Sequence, residues 1–303
     1  MKRKTKDAIE DKKPWVSEVT RDAVKHFVWG IGDNNPMWER AVPPSFAYAI
    51  NETTVAPDHE EYERHYASVE WEWFQPFTIG ECIHIEQTSK DEKSEQETDT
   101  FYQTGKTKFL DSQKTVIAQS TVNCRRDKLP LLEPENRPEI RYTAEELNTI
   151  EKNILAEQSQ ETNQLFWEDV RIGELVGSIR KGPLSIMDIV AWCSGTLGSP
   201  ENTQNLSLGG LQDQAATGPQ VVAWLIHLIT NWIGDKATLL RLRAELKQHP
   251  FLGSTTTLSG VVTDLGIKEK SHWCEINIKG QLQNGEVTIQ GKAVVQLPSK
   301  AEK

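Results

Sequence analysis

The sequence predicts an α+β chain in which one unit, a helix held by a curved antiparallel sheet, occurs twice. Three observations predict it. "VTRDAVKHFVWGIGDNNP" (19–36) lies over "LSIMDIVAWCSGTLGSP" (184–200), with Thr20 and Ser185 as matching helix N-caps and Gly30 on Gly195. "PFTIGE" (76–81) lies over "PFLGST" (250–255), each ahead of a strand-like run. "KFLDSQKTVIAQSTVNC" (108–124) lies over "GQLQNGEVTIQGKAVVQ" (280–296), two period-two runs with turns at Asp111–Ser112 and Asn284–Gly285. The order of the matches is kept from end to end, with only small changes of offset.

Each half thus reads as a short helix and turn, a central helix, then several strands. The first central helix begins near "PPSFAYAI" (43–50) and the second near "GPQVVAWLIHLITNWIG" (218–234), with Pro44 and Pro219 in the first turn, where a missing N–H costs nothing. The acidic stretch "APDHEEYERHYASVE" (56–70) reads as a solvated loop or helix. Between the halves, prolines mark an extended linker, and "TAEE" (143–146) is a capping box opening a polar helix. The expected organisation is an N-terminal unit over 1–130, a linker with its helix over 131–160, and a C-terminal unit over 161–303. The two sheets are expected to join edge to edge, which hides exposed strand edges.

Bulk properties exclude several function classes. The 303 residues, 37% apolar and 26% charged, fit a globular protein with a substantial core. A net charge of −10 argues against a nucleic-acid partner, because phosphate binding needs clustered Lys and Arg. The N-terminal "MKRKTKD" has no apolar stretch behind it and reads as a solvated tail rather than a signal peptide or anchor. The longest apolar run, 221–234, is shorter than the roughly 20 residues of a bilayer span, so no membrane partner is expected and the run reads as a buried helix. Cys82, Cys124, Cys193 and Cys274 lie far apart without a CxxC pair; no metal site is expected, they read as small apolar fillers, and a cytoplasmic location is the default. Trp29, Trp38, Trp192, Trp224 and Trp232 fall on or beside the helical regions and read as core anchors. "SLGGLQ" (207–212) lacks the strand–turn–helix setting of a dinucleotide site and reads as a loop.

"IGDNNPMW", then "VPPSF" and "WEWFQPFTIGE", resembles the N-terminal domain of the MaoC-like, or fatty-acid-synthase-type, acyl dehydratases. "FWEDVRIGELVGSIRKGPLSIMDIVAWCSGT" and "GPQVVAWLIHLITNWIGD" resemble the C-terminal half of the same double hotdog proteins. The resemblance implies a double hotdog fold. It also implies an acyl thioester ligand, on coenzyme A or an acyl carrier protein, and addition or removal of water across a 2-enoyl double bond without a separate cofactor. A homodimer or a second hotdog subunit is a further implied partner. In that family an Asp and a His of one motif hold a water, and a backbone amide at the start of the central helix polarises the thioester carbonyl. Chemically, one group takes a proton from water, another returns one to the α carbon, and the enolate oxygen needs a preorganised donor.

Carried over, Asp33, Asn35 and Pro36 match the motif, but Trp38 stands where the histidine belongs. Asp33 and Asn35 are the candidate catalytic residues; Trp38, Gly218 and Gln220 are the candidate substrate-binding ones. Asp33 in "GDNNP" is equally a turn former, bonding backbone amides two or three residues on. Gly218 precedes Pro219, which has no N–H, so only Gly218 or Gln220 can offer a helix-end amide; a glycine needed merely to enter the helix is the competing explanation. In the second half the aspartate's place falls near Leu197 or Gly198 and the histidine's near Leu211. Of the seven histidines, His59 and His65 sit in the acidic stretch, His84 alternates with Ile83 and Ile85, His26 lies on the first helix, and His249 and His272 border strand-like runs without an acidic neighbour at motif spacing. His227, among apolar residues of the second central helix, reads as a core or interface histidine. Three functions therefore stay open: a hydratase or dehydratase using Asp33, a noncatalytic acyl-thioester-binding subunit completed by a partner, and a hotdog thioesterase.

Overall fold

The computed structural model describes residues 16–51, 62–93, 100–128, 140–157, 165–196, 215–269 and 271–302. Among them, the period-two runs become nine strands of one antiparallel sheet. β1 (Tyr62–Trp73), β2 (His84–Lys93), β3 (Thr100–Leu110) and β4 (Val116–Lys128) come from the first half. β5 (Leu175–Lys181), β6 (Thr238–Leu246), β7 (Thr256–Lys268), β8 (Ser271–Leu282) and β9 (Val287–Leu297) come from the second. Their order is β2-β3-β4-β1-β6-β9-β8-β7-β5, so the two sheets fuse through β1 and β6. That junction runs antiparallel from Ser68↔Glu245 to Glu72↔Arg241, and it gives two strand edges a partner. The hairpin turns form where Asp111 and Asn284 are expected to make them: Asp111 Oδ1 accepts from the Gln113 and Thr115 amides, and Asn284 Oδ1 from Glu286.

Helices fill the concave side. α1 (Arg21–Gly30) starts at Thr20, whose hydroxyl accepts from the Ala23 amide. Its counterpart α4 (Ile186–Thr196) starts at Ser185, which exchanges hydrogen bonds with Asp188 in a capping box. The second central helix, α5 (Gly218–Ile233), is buried along its whole length, as its nearly unbroken apolar sequence requires. The first is short: a 3-10 turn at Pro44–Phe46 leads into α2 (Ala47–Ile50), which stops at Asn51 in extended backbone. In the connecting region, Thr143 and Glu146 form the expected capping box for α3 (Ala144–Leu155), which anchors through the single buried Ile150.

Three expectations are corrected. Residues 62–70 are not a loop or helix but the start of β1, bonded to β4 and, from Ser68, to β6. A bulge between Tyr66 and Ser68 moves the buried side from Tyr66 to Val69, Trp71 and Trp73, so the strand's period is broken in the sequence. Trp29 is no core anchor, being 70% exposed on the outside of α1, whereas Trp38, Trp192, Trp224 and Trp232 are buried. Among the cysteines, Cys124 and Cys274 are buried fillers, but Cys82 is exposed. His59, Leu197, Gly198, Leu211 and the 207–212 loop lie outside the described residues. No helix among the described residues is long and apolar enough to cross a membrane.

Candidate active site

Local sequence builds the first wall. After Gly30, α1 ends in a Schellman turn: the Gly32 amide bonds Trp29 O at 3.0 Å and the Asp33 amide bonds Val28 O at 2.8 Å. Gly32 takes φ +62, open to a residue without Cβ. Asp33 is thereby turned inward at 2% exposure. Its Oδ1 accepts from the Asn35 amide at 3.1 Å and its Oδ2 from the Trp38 indole N–H at 2.8 Å. Asn35 in turn accepts from the Met37 amide at 3.0 Å and caps the 3-10 turn Pro36–Glu39. Asp33 is thus both turn former and buried carboxyl.

The second half supplies the facing wall. His227 of α5, also 2% exposed, brings Nε2 to 3.4 Å from Asp33 Oδ1. One turn on, the Asn231 side-chain amide nitrogen is 3.0 Å from the same Nε2, and Asn35 Nδ2 donates across to Asn231 Oδ1 at 3.5 Å. Glu157, just past α3, lies 3.6 Å from His227 Nε2. Lys181, the last residue of β5, donates from Nζ to Gly32 O at 2.8 Å. Sequence reasoning does not single out these four residues as functional, and it reads His227 as a core or interface histidine. A signal for it exists: Gln220, His227 and Asn231 fall on one side of a helix that has Thr230 as its one other polar side chain.

Burial governs the charges. Loss of water pushes the Asp33 carboxyl up to about 6, against the pull of the Asn35 amide, the Lys181 ammonium and the Trp38 indole. Burial holds the His227 imidazole well below its usual 6.5, helped by the Lys181 charge, so the ring is neutral at neutral pH. The Asp33–His227 contact is therefore a carboxyl facing a neutral imidazole, not an ion pair. Burial also raises Glu157 and lowers Lys181, whose charge is offset by Glu157, Asp33 and Asp188. The cluster can accept, hold and pass a single proton between neighbours.

Of the other sequence candidates, Asn35 and Trp38 join this cluster, while Gly218 and Gln220 stand at the far end of α5. Gly218 is where it is for a packing reason: a Cβ there would meet the Tyr66 ring at 2.5 Å. The Gln220 amide is bonded to the Thr217 hydroxyl at 3.3 Å. His227 is seven positions beyond Gln220, roughly 10 Å along the axis, so the helix-end amides do not reach a carbonyl adjoining Asp33.

Two helix-in-sheet units fused through one nine-stranded sheet define a double hotdog. No family model matches the sequence, and no curated protein matches it. Solved structures do. A MaoC-like dehydratase matches with a TM-score of 0.71 at 13% identity, over 95% of this chain and 96% of that one. A conserved hypothetical protein from Mycobacterium tuberculosis with a double hotdog fold matches at 0.63 and 8% identity, over 96% of each chain. A MaoC-like dehydratase from Phytophthora capsici matches at 0.62 and 8%, over 99% of each. The fold that the sequence resemblance implies is the fold found, and it is shared with MaoC-like dehydratases.

Proposed function

We propose that the chain is an acyl-thioester hydratase or dehydratase, acting on an acyl group carried by coenzyme A or an acyl carrier protein. One observation carries this reading: the buried Asp33 carboxyl has an imidazole, His227 Nε2, at 3.4 Å. The base missing from the motif is supplied by the other half of the same chain, which favours self-sufficient catalysis over a subunit completed by a partner.

In hydration, a water that takes the place of the Asn231 amide at Nε2 gives its proton to neutral His227 as its hydroxyl adds to the β carbon. The electron pair moves to the thioester oxygen. Lys181, with one N–H spent on Gly32 O, offers positive charge there. As the enolate collapses, protonated Asp33 gives its proton to the α carbon, and the proton on His227 returns to Asp33 across their contact. Water is consumed and the pair is restored; dehydration runs the same steps backward. Asn35 holds Asp33 in position, and Asn231 holds His227 until the water enters.

Purified protein with crotonyl-CoA and longer 2-enoyl-CoA substrates, followed by loss of the conjugated double bond, tests this. Turnover is expected, and His227→Gln should lower it by about 10² to 10⁴-fold. Release of free thiol instead would establish a thioesterase, and a wild-type rate in the variant would remove His227 from the chemistry.

A further inference from the structure

The first turn of α5 holds a buried carboxamide that no described residue bonds. Gln220 is 1% exposed, and among the described residues neither its Oε1 nor its Nε2 has a hydrogen-bond partner. Ser45 follows Pro44 as Gln220 follows Pro219; it too is 1% exposed with its hydroxyl unpartnered. Folded proteins seldom leave such groups unmet, because each has given up water and gained nothing. That both occupy corresponding positions at the two central helix starts argues against accident.

Gln220 also shares a helix side with His227, whose Nδ1 is the next unpartnered atom along it. α5 therefore carries polar groups at two levels of one side, the Asp33–His227 contact and Gln220 near the helix start, with Ala223 and Trp224 between them. Tyr66 lies over Gly218 and helps to bury this end, where a hydrogen bond counts for more.

We propose that this side of α5 seats the carrier arm of the thioester: the amide that follows the sulfur donates its N–H to Gln220 Oε1, while the acyl β carbon lies beside the Asp33–His227 contact. The proposal rests on the acyl-thioester reading. A carboxamide presents an acceptor and a donor, and a pantetheine arm answers both with the N–H of one trans amide and the carbonyl of the next. An alkyl chain would leave both unmet, and a phosphate or carboxylate would set negative charge against Oε1. In pantetheine thioesters an amide follows the sulfur by two methylenes, a span that side chains roughly 10 Å apart can bracket.

The test compares two 2-enoyl thioesters, crotonyl-N-acetylcysteamine, which has that amide, and S-butyl thiocrotonate, which lacks it, on the full chain and its Gln220→Leu and Gln220→Met variants. The wild type should favour the amide-bearing substrate in kcat/KM by about tenfold. Both variants should bring the ratio close to one, with a thermal midpoint equal to or above the wild type's, since an unmet polar group has gone. A ratio unchanged in folded variants would overturn the proposal while leaving the hydratase reading intact. A wild type that turns over neither substrate, nor crotonyl-CoA, would overturn both.

Discussion

Trp38 donates its indole N–H to Asp33 Oδ2 at 2.8 Å from the position where the resemblance calls for a histidine. An indole donates and never accepts a proton, so it keeps the half of an imidazole's work that orients the carboxylate and gives up the half that takes a proton. In the proposed mechanism the accepting half comes from His227, in the other unit. Trp38→Phe therefore removes a stabiliser of the ionised carboxylate and moves the Asp33 pKa further above about 6. With Asp33 acting as the acid, kcat/KM declines as pH rises through that pKa. The variant's decline should lie at higher pH, with a stability loss of about 1 kcal/mol for the missing hydrogen bond. A pH profile superimposable on the wild type's would contradict this role for the indole.

The raised Asp33 pKa also makes a stability statement with a definite sign. The folded state holds its proton up to about pH 6, the unfolded chain only to about 3.8. The folded state thus binds more protons between these values, so stability falls as pH rises through that window and stays lower above it. The full interval corresponds to ~3 kcal/mol. Asp33→Asn removes the ionisation but also an attraction to Lys181, leaving a net gain of about 1–2 kcal/mol at pH 8 and little at pH 4. Urea unfolding at the two pH values reads the difference directly. Equal destabilisation at both would mean that the carboxylate is welcome in the fold.

What can be read from the sequence follows the range of the forces involved. The duplication is legible because caps, turns and helix starts are local: Thr20 and Ser185, Asp111 and Asn284, Pro44 and Pro219 each state their role within a few residues. Asp33 and Asn35 are legible for the same reason, since a Schellman turn and two side-chain caps fix them. His227, Lys181 and Glu157 arrive from α5, β5 and the end of α3, and only tertiary packing brings them to Asp33. Lys181 gives a faint sign, sharing the inward side of β5 with Ile179. Glu157 gives none.

Gly30 and Gly195, paired in the sequence comparison, meet as partners in space. A Cβ on Gly30 would lie 2.7 Å from the Ala191 carbonyl oxygen, and one on Gly195 would lie 2.8 Å from that of His26. Ala191 precedes Gly195 by one turn and His26 precedes Gly30 by one turn, so α1 and α4 cross about a pseudo-twofold with each glycine against the other helix's backbone. Backbone cannot step aside as a side chain can. Gly30→Ala gains about 1 kcal/mol of helix propensity, and against this it must push α1 and α4 apart, the former ending in the turn that carries Asp33. We expect each single alanine variant to lose about 1–3 kcal/mol in urea unfolding, and the double variant to lose less than the sum, because the first separation makes room for the second. Gly30→Ala should also depress hydration by shifting Asp33 away from His227, while Gly195→Ala, on the helix that does not lead into that turn, should depress it less. Stabilisation by either alanine would mean that the helices do not touch here, and equal activity losses would mean that α1 does not aim Asp33.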